Sequence, residues 1–364
     1  LNRDVIKVLV VDDSALMRRL LGEVFDDASG FQPSFARSGV EALSLLKTVR
    51  PDVVTLDVHM PQMDGLETLD RIMAERPCPV VMISSLTAEG ADVTLEAMDR
   101  GAVDFVPKPA GAVSLKMAEF APQVRSAVGA AAKARVRSRG LAERVRRKAR
   151  AAAGEPHVAP RLSRSAPATR LGDPPGLVLI GSSTGGPPAL DTVLSALPAE
   201  LEWPVLIAQH MPASFTGALA RRLSKLCPLP VVEVTRPTLI EPGLVYVAKG
   251  DADMIVSRRS SGLTAAPAPS ASQYRWHPSV DRLVDSAMTH VPAERLVGVL
   301  LTGMGDDGAA AMTRLRAGGG RTIAEAEATA VVWGMPGELV KAGGAERVEP
   351  IDRVGAALVE ALAR

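Results

Sequence analysis

The sequence predicts an α/β protein of two domains, each a doubly wound parallel sheet, joined by a basic linker. Three observations carry this. The chain has 364 residues, about twice the usual single domain. Short continuous apolar runs alternate with stretches of helical spacing in residues 1–122 and again in 175–364, as expected of strands buried on both faces beneath covering helices. Between them, residues 121–173 carry 13 Lys+Arg against 3 Asp+Glu, whereas residues 1–120 carry 12 against 19 and residues 174–364 carry 17 against 19. The formal charge of +1 therefore conceals two acidic bodies and a basic strap.

Composition excludes several other classes. With 47% hydrophobic and 23% charged residues, the chain has the balance of a globular protein and not of a disordered one. No apolar run approaches the roughly 18 residues of a membrane span. The start, Leu1-Asn2-Arg3-Asp4, does not read as a signal peptide, so the expectation is a cytoplasmic protein without membrane insertion. Cys78 and Cys227 are the only cysteines, far apart and each beside proline, which excludes a disulfide framework and a cysteine-based zinc site.

The elements follow in order. Val8–Val11 reads as a buried strand, and Ser14 as the cap of a helix with Leu16, Leu20, Leu21 and Val24 at helical spacing. Strand Val53–Leu56, a helix from Leu66, strand Val80–Ile83, a helix over 91–100 and strand Val103–Val106 complete the first domain. From 123 to 174 alanine, arginine and then Pro156, Pro160, Pro167, Pro174 and Pro175 supply too few large apolar side chains for a core. Alternation returns with strand Leu177–Ile180, a glycine turn, and Pro187-Pro188 where a helix begins. Val205–Ala208 and Leu296–Leu301 are further buried strands; Leu244–Ala248 and Met254–Val256, with the Ser260-Ser261-Gly262 turn, suggest an antiparallel hairpin between them.

Ligands of open α/β sheets bind beyond the carboxyl ends of the strands. In the first domain Asp12, Asp13 and Asp57 come to that rim, where three carboxylates repel unless a hard cation such as Mg²⁺ neutralises them. Ser84 and Lys108 end or follow neighbouring strands and suit a phosphoryl oxygen, so the set points to phosphoryl transfer onto a carboxylate. Any one of these acids alone reads as a solvated loop residue; the set at successive strand ends does not.

Leu56-Asp57-Val58-His59-Met60-Pro61-Gln62-Met63-Asp64-Gly65, with Asp12-Asp13 before it and Pro107-Lys108-Pro109 after it, resembles a two-component receiver domain over about residues 5–122. The resemblance implies a flavodoxin-like fold, Asp57 as phosphoacceptor, Asp12, Asp13 and Asp57 about the magnesium ion, Ser84 as switch hydroxyl and Lys108 as phosphate-sensing lysine. Phe105 falls at the family's switching aromatic and reads equally well as a core ring. His59 reads as solvated, its backbone carbonyl a possible metal ligand.

In the second domain Gly181-Ser182-Ser183-Thr184-Gly185-Gly186 links a strand to a helix. It fits a phosphate cradle, a plain tight turn, or a sharp turn presenting a hydroxyl nucleophile. A serine nucleophile needs a base and a carboxylate to orient it. Of five histidines, His59 and His157 lie outside this domain and His290 sits near a helix end. His210 directly follows the strand ending at Gln209; His277, in Tyr274-Arg275-Trp276-His277-Pro278, reads first as packing or substrate contact. Leu300-Leu301-Thr302-Gly303-Met304-Gly305-Asp306-Asp307-Gly308 brings a carboxylate after a third strand. The order Ser, His, Asp differs from that of α/β-hydrolases.

Gly181–Gly186, Gln209-His210-Met211-Pro212, Pro278-Ser279-Val280-Asp281 and Thr302–Gly308 together resemble the chemotaxis protein-glutamate methylesterase family over about 175–364. This implies a Rossmann-like catalytic domain with Ser183 as nucleophile, His210 as general base and Asp307 as orienting acid, Asp306 being the rival. Ser182 stands at a position usually filled by a small residue. The implied activity is hydrolysis of glutamate γ-methyl esters on chemoreceptors, releasing methanol, and deamidation of receptor glutamines, with no cofactor in the catalytic domain. The implied partners are the methyl-accepting receptors and a chemotaxis histidine kinase as phosphodonor. The basic strap reads as a solvated linker, a contact for the acidic receiver, or a surface for acidic receptors; nucleic acid is not expected as a partner, both domains being acidic. A regulatory protein without catalysis and a small-molecule esterase are the competing readings; a transcription factor lacks a basic recognition helix here.

Overall fold

The computed structural model describes residues 5–85, 87–109, 113–134 and 174–363. Most of the basic strap, and His157 with it, lies outside the described residues.

The first domain runs β1 (Ile6–Val11), α1 (Ala15–Val24), β2 (Phe31–Ala36), α2 (Gly39–Val49), β3 (Val53–Asp57), α3 (Gly65–Glu75), β4 (Val80–Ser84), α4 (Ala88–Asp99), β5 (Asp104–Pro107) and α5 (Val113–Ala131). The five strands form a parallel sheet in the order β2-β1-β3-β4-β5. Val8–Val11 and all of β3 and β4 are buried, because helices cover both faces. Ser14 caps α1 by accepting from the Met17 N–H, and Asp64 caps α3 by accepting from the Glu67 N–H at 2.8 Å. β2 has no clear apolar alternation and contains Pro33, which an edge strand accommodates. The sequence reading names no residues for it. α5 continues beyond residue 122 because Phe120, Val124 and Val128, spaced four apart, bury one stripe against the sheet.

The second domain runs β6 (Leu177–Ser182), α6 (Gly186–Ser195), β7 (Val205–Gln209), α7 (Ala213–Leu226), β8 (Val231–Val234), β9 (Thr238–Leu239), β10 (Val245–Ala248), β11 (Asp253–Arg259), β12 (Gly262–Ala268), α8 (Val280–His290), β13 (Leu296–Leu300), α9 (Ala309–Ala317), β14 (Arg321–Glu325), α10 (Met335–Lys341), β15 (Arg347–Glu349) and α11 (Ile351–Leu362). Seven strands make a parallel sheet in the order β15-β14-β13-β6-β7-β10-β8. β9, β11 and β12 form a small antiparallel sheet beside it. One expectation is corrected here. Val245–Ala248 is no hairpin strand but pairs in parallel with β7 and β8; the hairpin is β11 with β12 around Ser260-Ser261. A short run of alternating valines has the same local pattern in either sheet, and only its distant partners decide the direction.

Apolar layers on both faces of the seven-stranded sheet form the core of this domain. Leu179, wholly buried in the central strand, is typical; its truncation to alanine would cost about 2–5 kcal/mol. The strand order reverses between β6 and β13, so the crevice at their carboxyl ends is the natural place for a ligand. No helix among the described residues is long and apolar enough to cross a membrane.

The two domains share packing. Ala91 and Leu95 of α4 join the hydrophobic cluster formed by α6 and α7. Arg222 on α7 donates to Asp99 and the Leu95 carbonyl of the first domain and to Asp191 on α6. Burial opposes its charge, but the two carboxylates outweigh this and hold the guanidinium charged well above its ordinary range.

Candidate active site and phosphoacceptor pocket

At the first rim, Asp12 and Asp57 are buried and Asp13 is exposed, and their nearest carboxylate oxygens all lie within 4.8 Å of one another. Lys108 reaches in from the end of β5, its ammonium 2.7 Å from Asp57 Oδ2 and 3.0 Å from Asp12 Oδ2. Burial pushes the Asp57 carboxyl above its ordinary range; Lys108 opposes this through a hydrogen bond and its charge, and Asp12 adds to the rise. Asp12 Oδ2 is buried without a hydrogen-bond partner among the described residues, since the Lys108 contact lacks the geometry of one. A buried carboxylate oxygen left in that state, beside two more acids, fits a hard divalent cation such as Mg²⁺. Ser84 is fully buried, its hydroxyl directed to the Gly90 carbonyl at 3.3 Å. His59 is exposed; its N–H lies 3.4 Å from Asp57 Oδ1.

At the second rim the sheet register does the positioning. β6 pairs with β7 so that Ser182 lies opposite Gln209, and Ser183 and His210 leave those adjacent strand ends one residue later. The His210 N–H closes on the Ser182 carbonyl at 3.0 Å. Gln209 then locks the turn: its Oε1 accepts from the Ser182 hydroxyl at 2.7 Å, and its Nε2 donates to the Ser183 and His210 carbonyls, each at 3.0 Å. Ser182 is wholly buried and committed to Gln209, whereas Ser183 is half-buried at the rim. Gly185, at φ +77° and with Val331 only 2.6 Å from where a Cβ would stand, makes the turn into α6 possible.

Asp307 comes from beyond β13. Its Oδ2 accepts from His210 Nε2 at 2.7 Å and from the Val280 N–H at 2.7 Å. Its Oδ1 accepts from the Ser279 hydroxyl and the Asp281 N–H, each at 3.0 Å. The carboxylate thus sits at the N-terminus of α8, where free N–H groups and the helix dipole favour negative charge. Burial pushes its carboxyl up, but the bond to His210, that ring's charge and the α8 N–H groups prevail and leave it below its ordinary value. Asp306 is exposed and takes no part in this bonding. Because a carboxylate can only accept, His210 Nε2 is the donor in this bond. Nδ1 is buried without a hydrogen-bond partner among the described residues, so it is not yet bonded to the Ser183 hydroxyl. Trp276 stacks on the imidazole, ring centroids 5.2 Å apart.

Among the described residues, the other two histidines of this domain bond elsewhere or close a helix. His277 bonds through Nδ1 to Asp253 at 2.9 Å, and His290 ends α8. Sequence reasoning did not find Gln209 as the clamp of both serine residues, nor Ser279 as a support for Asp307. Gln209 lay one position before His210 in a quoted motif, but no spacing rule tells a clamp from a last strand residue.

The first domain also touches this rim. Thr184, next to Ser183, donates its hydroxyl to Asp104 of β5, and Phe105 packs on Phe215 of α7 with centroids 4.4 Å apart. Ser126 of α5 lies 3.8 Å from the Met304 sulfur. Burial pushes the Asp104 carboxyl up to about 6, against the bonds from Thr184 and the Phe105 N–H and the charge of His210.

Comparison with known proteins finds a family for each half of the chain. The CheB methylesterase family model matches residues 178–358, and that of the response regulator receiver domain matches residues 8–118. A protein-glutamate methylesterase/protein-glutamine glutaminase 2 of Rhodopseudomonas palustris (strain BisB18) is 55% identical over 357 residues, covering 98% of each chain. A protein-glutamate methylesterase/protein-glutamine glutaminase 3 of Rhodospirillum rubrum is 52% identical over 353 residues, 97% of this chain and 95% of its own. One from Vibrio cholerae, also numbered 3, is 44% identical over 335 residues, covering 92% of this chain and 90% of its own.

Proposed function

The chain belongs to the CheB methylesterase family, with a response-regulator receiver ahead of its catalytic part, and on that premise we propose that it is a phosphorylation-controlled protein-glutamate methylesterase and protein-glutamine glutaminase. Its substrates are the γ-methyl esters and certain glutamines of methyl-accepting chemoreceptors, and a chemotaxis histidine kinase is the phosphodonor. The receiver spans residues 1–122, the connector 123–174 and the catalytic domain 175–364, and the protein works in the cytoplasm.

The observation that carries this reading is the imidazole of His210, held by Asp307 through Nε2 on the strand end next to the one that carries Ser183. Ser183 Oγ attacks the side-chain carbonyl as Nδ1 takes its proton. The tetrahedral intermediate collapses to a glutamyl-serine ester, and His210 returns the proton to the leaving methanol or ammonia. Water then repeats the sequence and releases the free glutamate. Asp307 remains ionised throughout and stabilises the imidazolium. The Ser183 N–H is already bonded to the Thr302 carbonyl at 3.0 Å, so the oxyanion takes its donors from the turn beyond Ser183 or from the Met304 loop. Removing one such donor typically costs about 3 kcal/mol in the barrier.

In the receiver, Asp57 accepts the phosphoryl group, and Asp12, Asp13 and Asp57 would hold Mg²⁺. When bound, the ion offsets the negative charge brought to this acidic rim. Lys108 and Ser84 receive phosphoryl oxygens, and Phe105 carries the change to the interface. The contacts of Asp104, Phe105 and Ser126 with the catalytic rim support a resting state in which the receiver shields Ser183. Methanol release from methylated receptor, measured with and without a small phosphodonor, tests the whole reading. It is expected from the wild type and stimulated by the donor; a wild-type chain that releases none refutes it.

A further inference from the structure

We propose that Trp276 is a positioning residue for the general base, holding the His210 ring in the orientation in which Nε2 meets Asp307 and Nδ1 faces the nucleophile turn. This rests on the hydrolase reading above. A single hydrogen bond from Nε2 leaves an imidazole free to tilt about that bond. On the other nitrogen nothing polar among the described residues restrains it, since Nδ1 has no hydrogen-bond partner. The ring is nevertheless almost wholly enclosed, its side chain 7% exposed. What lies flat against it is the indole of Trp276, with planes inclined by only 14°. An offset parallel pair resists the one motion the Asp307 bond permits.

Such a plate is useful only if it is itself fixed, and the Tyr274–Ser279 loop is anchored at several points. Asp253, fully buried at the start of β11, accepts from His277 Nδ1, from the Ser279 N–H at 2.8 Å and from Arg282 at 2.6 Å. The Arg275 guanidinium carbon lies 5.1 Å from the Trp276 ring centroid, and that of Arg282 lies 5.8 Å from the Tyr274 centroid. The indole edge closes on Gly305, whose absent Cβ would stand 3.4 Å from Trp276 Nε1 at φ +90°. His277, which bonds to Asp253 and not to the catalytic group, thus serves to seat the neighbouring tryptophan. Misplacing a catalytic group by about 1 Å can cost about 100-fold in rate.

The test uses the full chain and methylated receptor, with Trp276→Leu, Trp276→Phe and wild type compared for kcat, KM and melting temperature. Trp276→Leu is expected to lower kcat by about 10- to 100-fold with KM unchanged. Trp276→Phe, which restores a flat aromatic face, is expected to recover most of that loss. An active wild type with an equally active Leu variant overturns the proposal alone. Equal losses in Leu and Phe, or losses that follow the melting temperature, overturn it as well, because they indicate packing and not ring orientation. A wild type that releases no methanol overturns the hydrolase reading and this proposal with it.

Discussion

At the rim of the five-stranded sheet three carboxylates crowd around one lysine, and Asp12 Oδ2 lacks a hydrogen bond among the described residues. At the rim of the seven-stranded sheet a single carboxylate, Asp307, is wrapped by the Ser279 hydroxyl, two N–H groups of α8 and His210. The first arrangement is short of positive charge and suits a cation and a phosphoryl group brought from solution. The second has satisfied its charge internally and needs no ion from solution. The same architecture, parallel strands ending in acidic loops, thus gives a site that waits for ligands and a site assembled in advance. The contrast lies in what surrounds each carboxylate and not in the acids themselves.

The contrast can be broken most severely at the proposed nucleophile. Ser183→Ala should lower methyl-ester hydrolysis by on the order of 10⁶-fold, whereas Ser182→Ala, whose hydroxyl only braces Gln209, should retain activity in the same assay. Asp307→Asn comes next. With an amide in place of the acceptor the imidazole tautomer is no longer fixed, and kcat should fall by about 10⁴-fold while the fold survives in a thermal melt. At the other rim, Asp57→Asn should lose all stimulation by a small phosphodonor and keep basal turnover, because it lies outside the hydrolytic group. Stimulation that survived would detach the two rims from one another.

The smallest effect sharpens the comparison where the rims meet. Asp104 has its carboxyl raised to about 6 in the closed contact, from an ordinary value of 3.8 when free. The closed contact therefore holds its proton more tightly than the open form. Closure is fully favoured below the free value and weakens as pH rises from about 4 through about 6. Protease sensitivity of the interface in Ser183→Ala, followed over that range, should increase with pH. The Asp104→Asn chain should show a flatter profile; an identical profile would remove Asp104 from the linkage. The readout avoids turnover so that it reports closure of the contact and not the hydrolytic step.

Much of both sites was legible from strand ends. Buried valine and leucine runs fix where parallel strands stop, and side chains at those stops share a rim, which is why Asp12, Asp57, Lys108, Ser183 and His210 could be read in sequence. What escaped depended on partners far along the chain. In the Gly-Asp-Asp-Gly run the family resemblance named Asp307 over Asp306; the physical reason, which carboxylate reaches the N-terminus of α8, needed the structure. The direction of Val245–Ala248 was misread because its parallel neighbours, β7 and β8, are not adjacent to it in sequence. No residues were named for α5, because an alanine-rich composition masks its Phe120, Val124, Val128 stripe.

By itself the sequence determined the two parallel sheets, their order of elements and the chemical kinds gathered at each rim, because burial periodicity and strand-end loops are local properties. Tertiary structure alone decided that Trp276 lies against the His210 ring, and that Asp104 and Phe105 of the receiver reach the catalytic rim. Those are contacts between segments 66 to 110 positions apart, set by how helices and sheets pack, and no short window along the chain contains both partners.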